Sequence, residues 1–201
     1  MNNSQILDNP TVWEFGRICL DLFFGLYRKR FNKIKEWGLY NKNYSVIDIG
    51  CGIGQYCKIT KGNYLGIDLQ PNYISYCKRK YKDKNKSFRC ADASTILKEK
   101  TTFDLILIVD FLHHVSDDLA VKILHTASLL SNEYVVNFEP VYEQSNPIGR
   151  WLREHDRGNY IRSLENLHKL FKVAGLEIIE SSELILGPSK TRAILAKPIK
   201  S

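Results

Sequence analysis

The sequence contains no Cys-x-x-Cys pair, and its five cysteines, Cys19, Cys51, Cys57, Cys77 and Cys90, are odd in number. That argues against a disulfide framework and against a zinc site, and predicts a reducing, cytoplasmic setting with no bound metal. The opening MNNSQILDNP lacks the basic flank and apolar run of a secretory signal. The longest aliphatic run, Leu105–Val109, is far too short for a transmembrane segment. No internal repeat, low-complexity tract or Pro/Gly/Ser-rich linker divides the chain. Its 201 residues therefore predict one domain, large enough to bury a core without staples.

Charge is not scarce, but it is unbalanced, at a formal +7. Much of the excess lies in Arg28-Lys29-Arg30 with Lys33 and Lys35, and in Lys78-Arg79-Lys80 with Lys82, Lys84 and Lys86. Such runs suit an anionic partner: nucleic acid, a phosphorylated substrate or an acidic membrane surface. Lysines mixed with a few acids are also ordinary on solvated helix faces, and that is the reading favoured here.

Apolar spacing predicts helix over about 10–40, with Phe15, Ile18, Leu22, Leu26, Phe31, Ile34 and Trp37 recurring at helical intervals. Strands and helices then alternate. Tyr44–Ile49, Tyr64–Asp68, Phe88–Ala91, Phe103–Val109 and Tyr134–Glu139 read as strands. A helix is expected near Gln55–Thr60 and another over about 71–82, with Pro71 at its first position. Two more begin after Ser116 and Ser163, the second ending at Gly175. Leu176–Ser181 and Arg192–Lys197 close the chain as an antiparallel pair. Repeated strand–helix units predict an α/β fold, a mostly parallel sheet with helices on both faces. Such sheets bind ligands at the carboxyl ends of their strands.

The most specific signal is Val46-Ile47-Asp48-Ile49-Gly50-Cys51-Gly52-Ile53-Gly54, a strand, a glycine turn and a helix start. Glycine lets the backbone turn and lets a ligand approach with no Cβ in the way. A dinucleotide loop, G-x-G-x-x-G, needs glycine where Gln55 stands. Here the spacing is G-x-G-x-G, with Asp48 placed to meet a cationic amine. Asp68 ends the next strand, where a carboxylate accepts from both hydroxyls of a ribose. Asp92, in Cys90-Ala91-Asp92-Ala93, ends the third, where a carboxylate accepts from an exocyclic adenine amine. Each acid alone could be a helix or turn cap; three in register match an amine, a ribose and an adenine.

With those residues in view, 44–139 resembles the core of the class I S-adenosylmethionine-dependent methyltransferases. VIDIGCGIGQY is similar to their first motif, YLGID to the acidic second-strand motif, RCADAS to the adenine motif and FDLILIVDFLHHV to the fourth-strand motif. The resemblance implies a seven-stranded sheet in the order 3-2-1-4-5-7-6, its seventh strand antiparallel. It implies S-adenosylmethionine as cofactor, with Gly50 and Gly52 against the methionine part, Asp68 and Leu69 at the ribose, Asp92 and Ala93 at adenine, and Asp110 bordering the methyl-donor end; Asp48 and Gly54 complete the expected cofactor-binding set. Residues 1–43 become an N-terminal helical cap, and 44–201 the Rossmann-like domain.

The same resemblance draws the acceptor site from the N-terminal helix and from segments after the fourth and fifth strands. His113 and His114 are candidates to take the acceptor's proton near neutral pH; the structural alternative has them packing and bonding to backbone. The connection from Glu139 to Arg162 is long for a strand-to-helix link and holds Glu139, Tyr142, His155, Arg157 and Tyr160, candidate substrate ligands on a lid. Its arginines suit a carboxylate or phosphate. The reading is an enzyme that methylates a small molecule, an anionic one among those its arginines suit, at oxygen or nitrogen. Nucleic-acid methylation, chiefly of RNA, is the alternative; it has the basic charge, but lacks an Asn-Pro-Pro-Tyr type tetrapeptide and a Pro-Cys nucleophile.

Overall fold

Phe103–Val109 (β4) and Val46–Ile49 (β1) are mostly apolar and buried on both faces, and they pair side by side at the middle of a sheet. The computed structural model describes residues 10–98, 101–143, 147–154 and 158–199. Tyr64–Asp68 (β2) and Lys86–Cys90 (β3) extend the sheet on one side. Ser131–Pro140 (β5), Ser189–Pro198 (β7) and Leu176–Leu186 (β6) extend it on the other. The seven strands run in the order β3-β2-β1-β4-β5-β7-β6, with β7 antiparallel to both its neighbours. Order and direction are those implied by the resemblance.

Alternation sorts the central strands onto two cores. Ile47, Ile49, Ile106 and Ile108 face Asp117–Leu130 (α4) and Leu164–Val173 (α6) through Ile123, Ala127, Leu167 and Phe171. Val46, Leu105 and Leu107 face Leu26–Glu36 (α2) and Pro71–Lys80 (α3) through Ile34, Ile74 and Cys77. The segment expected to be one long N-terminal helical region is two helices, Pro10–Phe24 (α1) and α2. They are broken at Gly25, whose φ of +66° disfavours any residue with a Cβ. Pro147–Glu154 (α5) lies in the long connection after β5.

The basic run on α2 is not a solvated face throughout. Arg30 and Lys33 are buried, Lys33 between Glu36 at 2.8 Å and Glu180 at 2.5 Å. Trp37 donates its indole N–H to the same Glu180 at 2.9 Å. These contacts fasten α2 to β6. The helix expected near Gln55–Thr60 is one short 3₁₀ segment, Gln55–Ile59. The closing strands are longer than their apolar cores suggested, because the sequence pattern does not record where a hairpin stops pairing.

Candidate functional site

The turn after β1 has left-handed backbone at all three glycines: φ is +75° at Gly50, +53° at Gly52 and +73° at Gly54. A Cβ on Gly50 would fall 2.5 Å from Phe111 Cδ2, so glycine here also admits the segment after β4. Gly52 donates its N–H to Asp68 Oδ2 at 2.8 Å, fastening the turn to the end of β2. Asp68 Oδ1 accepts from the Gln70 amide at 2.9 Å. Burial pushes the Asp68 carboxyl above its ordinary range, against the pull of these amides.

Asp48 is 1% exposed. Tyr64 donates its phenol O–H to Oδ2 at 2.5 Å, while Oδ1 has no hydrogen-bond partner among the described residues. Burial, assisted by the Asp68 charge and opposed by Tyr64, pushes the Asp48 carboxyl up to about 7. A buried acceptor whose lone pairs meet no donor is costly unless a ligand supplies one. At the β3 end, Asp92 is exposed and accepts from the Ser94 amide at 2.8 Å. Ser94 holds that carboxyl below its usual range.

Asp110 directly follows β4 with φ of +49°, unusual for a residue with a side chain. Arg30 meets it in a two-point contact, Nη1 to Oδ2 at 2.6 Å and Nη2 to Oδ1 at 2.7 Å. Arg17 stands farther off, 3.8 Å from Oδ2, with its guanidinium over the Tyr27 ring. Burial works to raise the Asp110 carboxyl, but Arg30 beside it wins and holds it below the ordinary range.

The 3₁₀ turn Leu112–His114 comes next. Glu139, 2% exposed, accepts from the Phe111 and Leu112 amides at 2.8 and 2.7 Å and contacts His113 Nδ1 at 2.6 Å. Arg162 donates to the Leu112 and Val115 carbonyls, both at 2.7 Å, and to Asp117 at 2.8 Å. The Tyr160 amide donates to the His113 carbonyl, and Gly158 packs so closely that a Cβ would lie 2.1 Å from His113 Cδ2.

One cleft of about 890 Å³ runs over the carboxyl ends of β1, β2 and β4. Asp48, Gly50, Gly52, Asp68, Leu69, Asp92 and Ala93 line one side. Asp110, His113 and His114 stand between it and a second side. That second side comes from α1, α2 and the β6–β7 hairpin: Arg17, Phe24, Tyr27, Arg30, Leu186 and Pro188. Gly54 is not in the wall; it packs against Phe88, Tyr81 and Cys77, where it lets the turn close.

Three of the residues expected to be substrate ligands fall elsewhere. Glu139, Tyr142 and Tyr160 do not line the cleft. Glu139 is buried beneath it, and Tyr142 and Tyr160 are exposed where their backbone stitches residue 162 and His113 into place. Their strip of the long connection braces the post-β4 turn. His155 and Arg157 lie outside the described residues. Sequence reasoning missed Arg30, whose only signal was a basic run, and the hairpin, whose Gly187-Pro188 pair marks a turn but not what it overhangs.

Residues 47–128 match the family model of a methyltransferase domain. An uncharacterised protein of Methanocaldococcus jannaschii is 32% identical over 76 residues, 37% of this chain. The chain spans about a third (32%) of that protein's length. Among solved structures, magnesium protoporphyrin IX methyltransferase from Synechocystis with bound S-adenosylmethionine superimposes with a TM-score of 0.63 at 13% identity, covering 86% of this chain and 79% of that one. A S-adenosylmethionine-dependent methyltransferase from Aquifex aeolicus gives 0.64 at 19% identity, covering 82% and 87%. At such identities the likeness is one of fold.

Proposed function

We propose that the chain is a class I S-adenosylmethionine-dependent methyltransferase, a reading supported by the methyltransferase-domain match over residues 47–128, and that it transfers the cofactor's methyl group to a small, apolar acceptor that carries an acid group. The observation that carries this reading is the single cleft, with three strand-end carboxylates on one side, a largely apolar wall on the other and Asp110 between them. At about 890 Å³ it lies near the top of the ~300–1,000 Å³ range of single-ligand sites, which suits a cofactor with a small second molecule.

The residues present suit the cofactor. The unpartnered Oδ1 of Asp48 suits an ammonium. Asp68, already oriented by two amides, retains lone pairs for ribose hydroxyls. Asp92 is accessible at the strand end for an adenine amine. The bound cofactor supplies a methyl group already activated as a sulfonium. The chain's own work is to align the acceptor, exclude water and take one proton. Phe111, Leu119 and Phe24 supply apolar walls. His113 acts as a positioning residue, its Nδ1 engaged by Glu139. His114 is exposed on the cleft wall near Asp68 and is our choice for the proton. Two guanidiniums, Arg17 and Arg30, face the acceptor side with one carboxylate, Asp110, and that balance suits an acceptor bearing a carboxylate or phosphate.

The test has two steps. Calorimetry should show binding of S-adenosylhomocysteine and none of NAD, with affinity falling by about 2–3 kcal/mol in Asp68→Ala. Cofactor labelled on its methyl group is then incubated with the chain and a cell extract. Label in the small-molecule fraction supports the proposal; label in RNA overturns it.

A further inference from the structure

Helix α1 is amphipathic the wrong way round. Its charged residues, Glu14, Arg17 and Asp21, lie three and four apart on one stripe, and that stripe faces the protein. Glu14 contacts Lys80 and Tyr76 of α3. Arg17 reaches Asp110, and Asp21 accepts from the Tyr27 and Arg28 amides at the start of α2. The stripe turned outward is apolar: Phe15 is 68% exposed, Leu22 75% and Phe23 81%, with Val12 and Ile18 beside them. Single exposed apolar side chains are ordinary, but a continuous row along a whole helix marks an interaction face.

Charge at both ends of the helix selects the partner. Exposed Arg28 and Lys29 follow its carboxyl end across Gly25. The Glu14–Lys80 pair ties exposed Lys78 and Arg79 to its amino-terminal half. A second copy packed on this row would bring cations onto cations, whether the two helices ran parallel or antiparallel. A surface of anionic headgroups offers apolar depth for the phenylalanines and opposite charge for both basic clusters. No described helix is long and apolar enough to cross a membrane, and with 15 residues α1 is short of the roughly 20 a span needs, so it would lie in the interface plane.

We propose that the outward row of α1 docks this protein on anionic phospholipid membranes. The cleft opens beside the docked helix, since Arg17 and Phe24 of α1 belong to its wall.

Co-sedimentation of the full chain with vesicles tests the proposal. It should pellet with vesicles of equal parts phosphatidylcholine and phosphatidylglycerol, stay in the supernatant with phosphatidylcholine alone, and detach as salt is raised. Phe15→Ser/Leu22→Ser/Phe23→Ser should lower partitioning by more than about a hundredfold, since three apolar side chains leave the interface. Arg28→Gln/Lys78→Gln/Arg79→Gln, which leaves α1 intact, should lower it severalfold and abolish the preference for phosphatidylglycerol. Unchanged melting and S-adenosylhomocysteine affinity in both variants keep folding and cofactor binding out of the result. No pelleting with the anionic vesicles overturns the proposal. So does unaltered pelleting of either variant, or a dimer in light scattering that the serine variant turns into a monomer.

Discussion

Glu139 and Arg162 hold the same short turn from opposite poles: the carboxylate takes the Phe111 and Leu112 amides, and the guanidinium takes the Leu112 and Val115 carbonyls. Between them they satisfy backbone that leaves the central strand of the sheet and cannot find partners in it. Phe111, the first residue of that strip, packs where a Cβ on Gly50 would stand. The turn after β1 is therefore buttressed from behind.

Glu139→Gln removes the negative charge that the Phe111 and Leu112 amides and His113 Nδ1 share. The expected loss is about 2–3 kcal/mol of unfolding free energy, the scale of a hydrogen bond to a charged group in a buried site. Affinity for S-adenosylhomocysteine should weaken as well, because Phe111 shifts against Gly50. Urea unfolding and calorimetry on the same protein measure both. Lost stability with intact affinity would show that the turn and the cofactor loop are independent.

Asp48 makes stability depend on pH in a definite direction. In the unfolded chain its carboxyl ionises near 4; in the folded protein burial moves that to about 7. Between those values the folded chain keeps a proton that the unfolded chain has lost, so folding becomes less favourable as pH rises from about 4 to about 7. Asp48→Asn removes this dependence. From pH 4 to pH 8 the variant should gain on the wild type by on the order of 3 kcal/mol, read from urea midpoints. Binding of S-adenosylhomocysteine to the wild type should strengthen as pH rises through about 7, as Asp48 ionises to meet the amine, and stay flat in the variant.

Arg30 is 2% exposed and carries the two-point contact with Asp110. Arg30→Met leaves a partly buried carboxylate beside an apolar chain and should lower stability by about 3–5 kcal/mol. Adding Asp110→Asn, which also tolerates the left-handed backbone, should restore part of that. A double variant no more stable than Arg30→Met would mean that Arg30 acts through its packing on Phe138.

Arg17 provides the test of acceptor charge. With S-adenosylhomocysteine bound, decanoate should bind more tightly than decanol, and Arg17→Gln should weaken decanoate about tenfold or more while leaving decanol and cofactor affinity unchanged. Equal binding of the acid and the alcohol by the wild type would remove the acid group from the proposed acceptor.

The side of the cleft that carries Asp48, Asp68 and Asp92 was legible in the chain because its residues lie in short local motifs. Asp48, Gly50 and Gly52 share one strand and turn, while Asp68 ends the second strand and Asp92 stands two residues past the end of the third. Parallel pairing then brings those ends together by rule. The long connection after β5 was legible as an insertion but not in its role: Arg162 donates to carbonyls 50 and 47 residues before it, and such contacts leave no periodic trace. The same holds for Arg30, which reads as one cation in a basic run until Asp110, 80 residues away, is folded against it. Spacing and residue type determined where the strands end and which carboxylates stand there. Only tertiary packing decided which charges are buried in pairs, which hairpin overhangs the cleft and which face of α1 is turned outward, because each depends on neighbours distant in sequence.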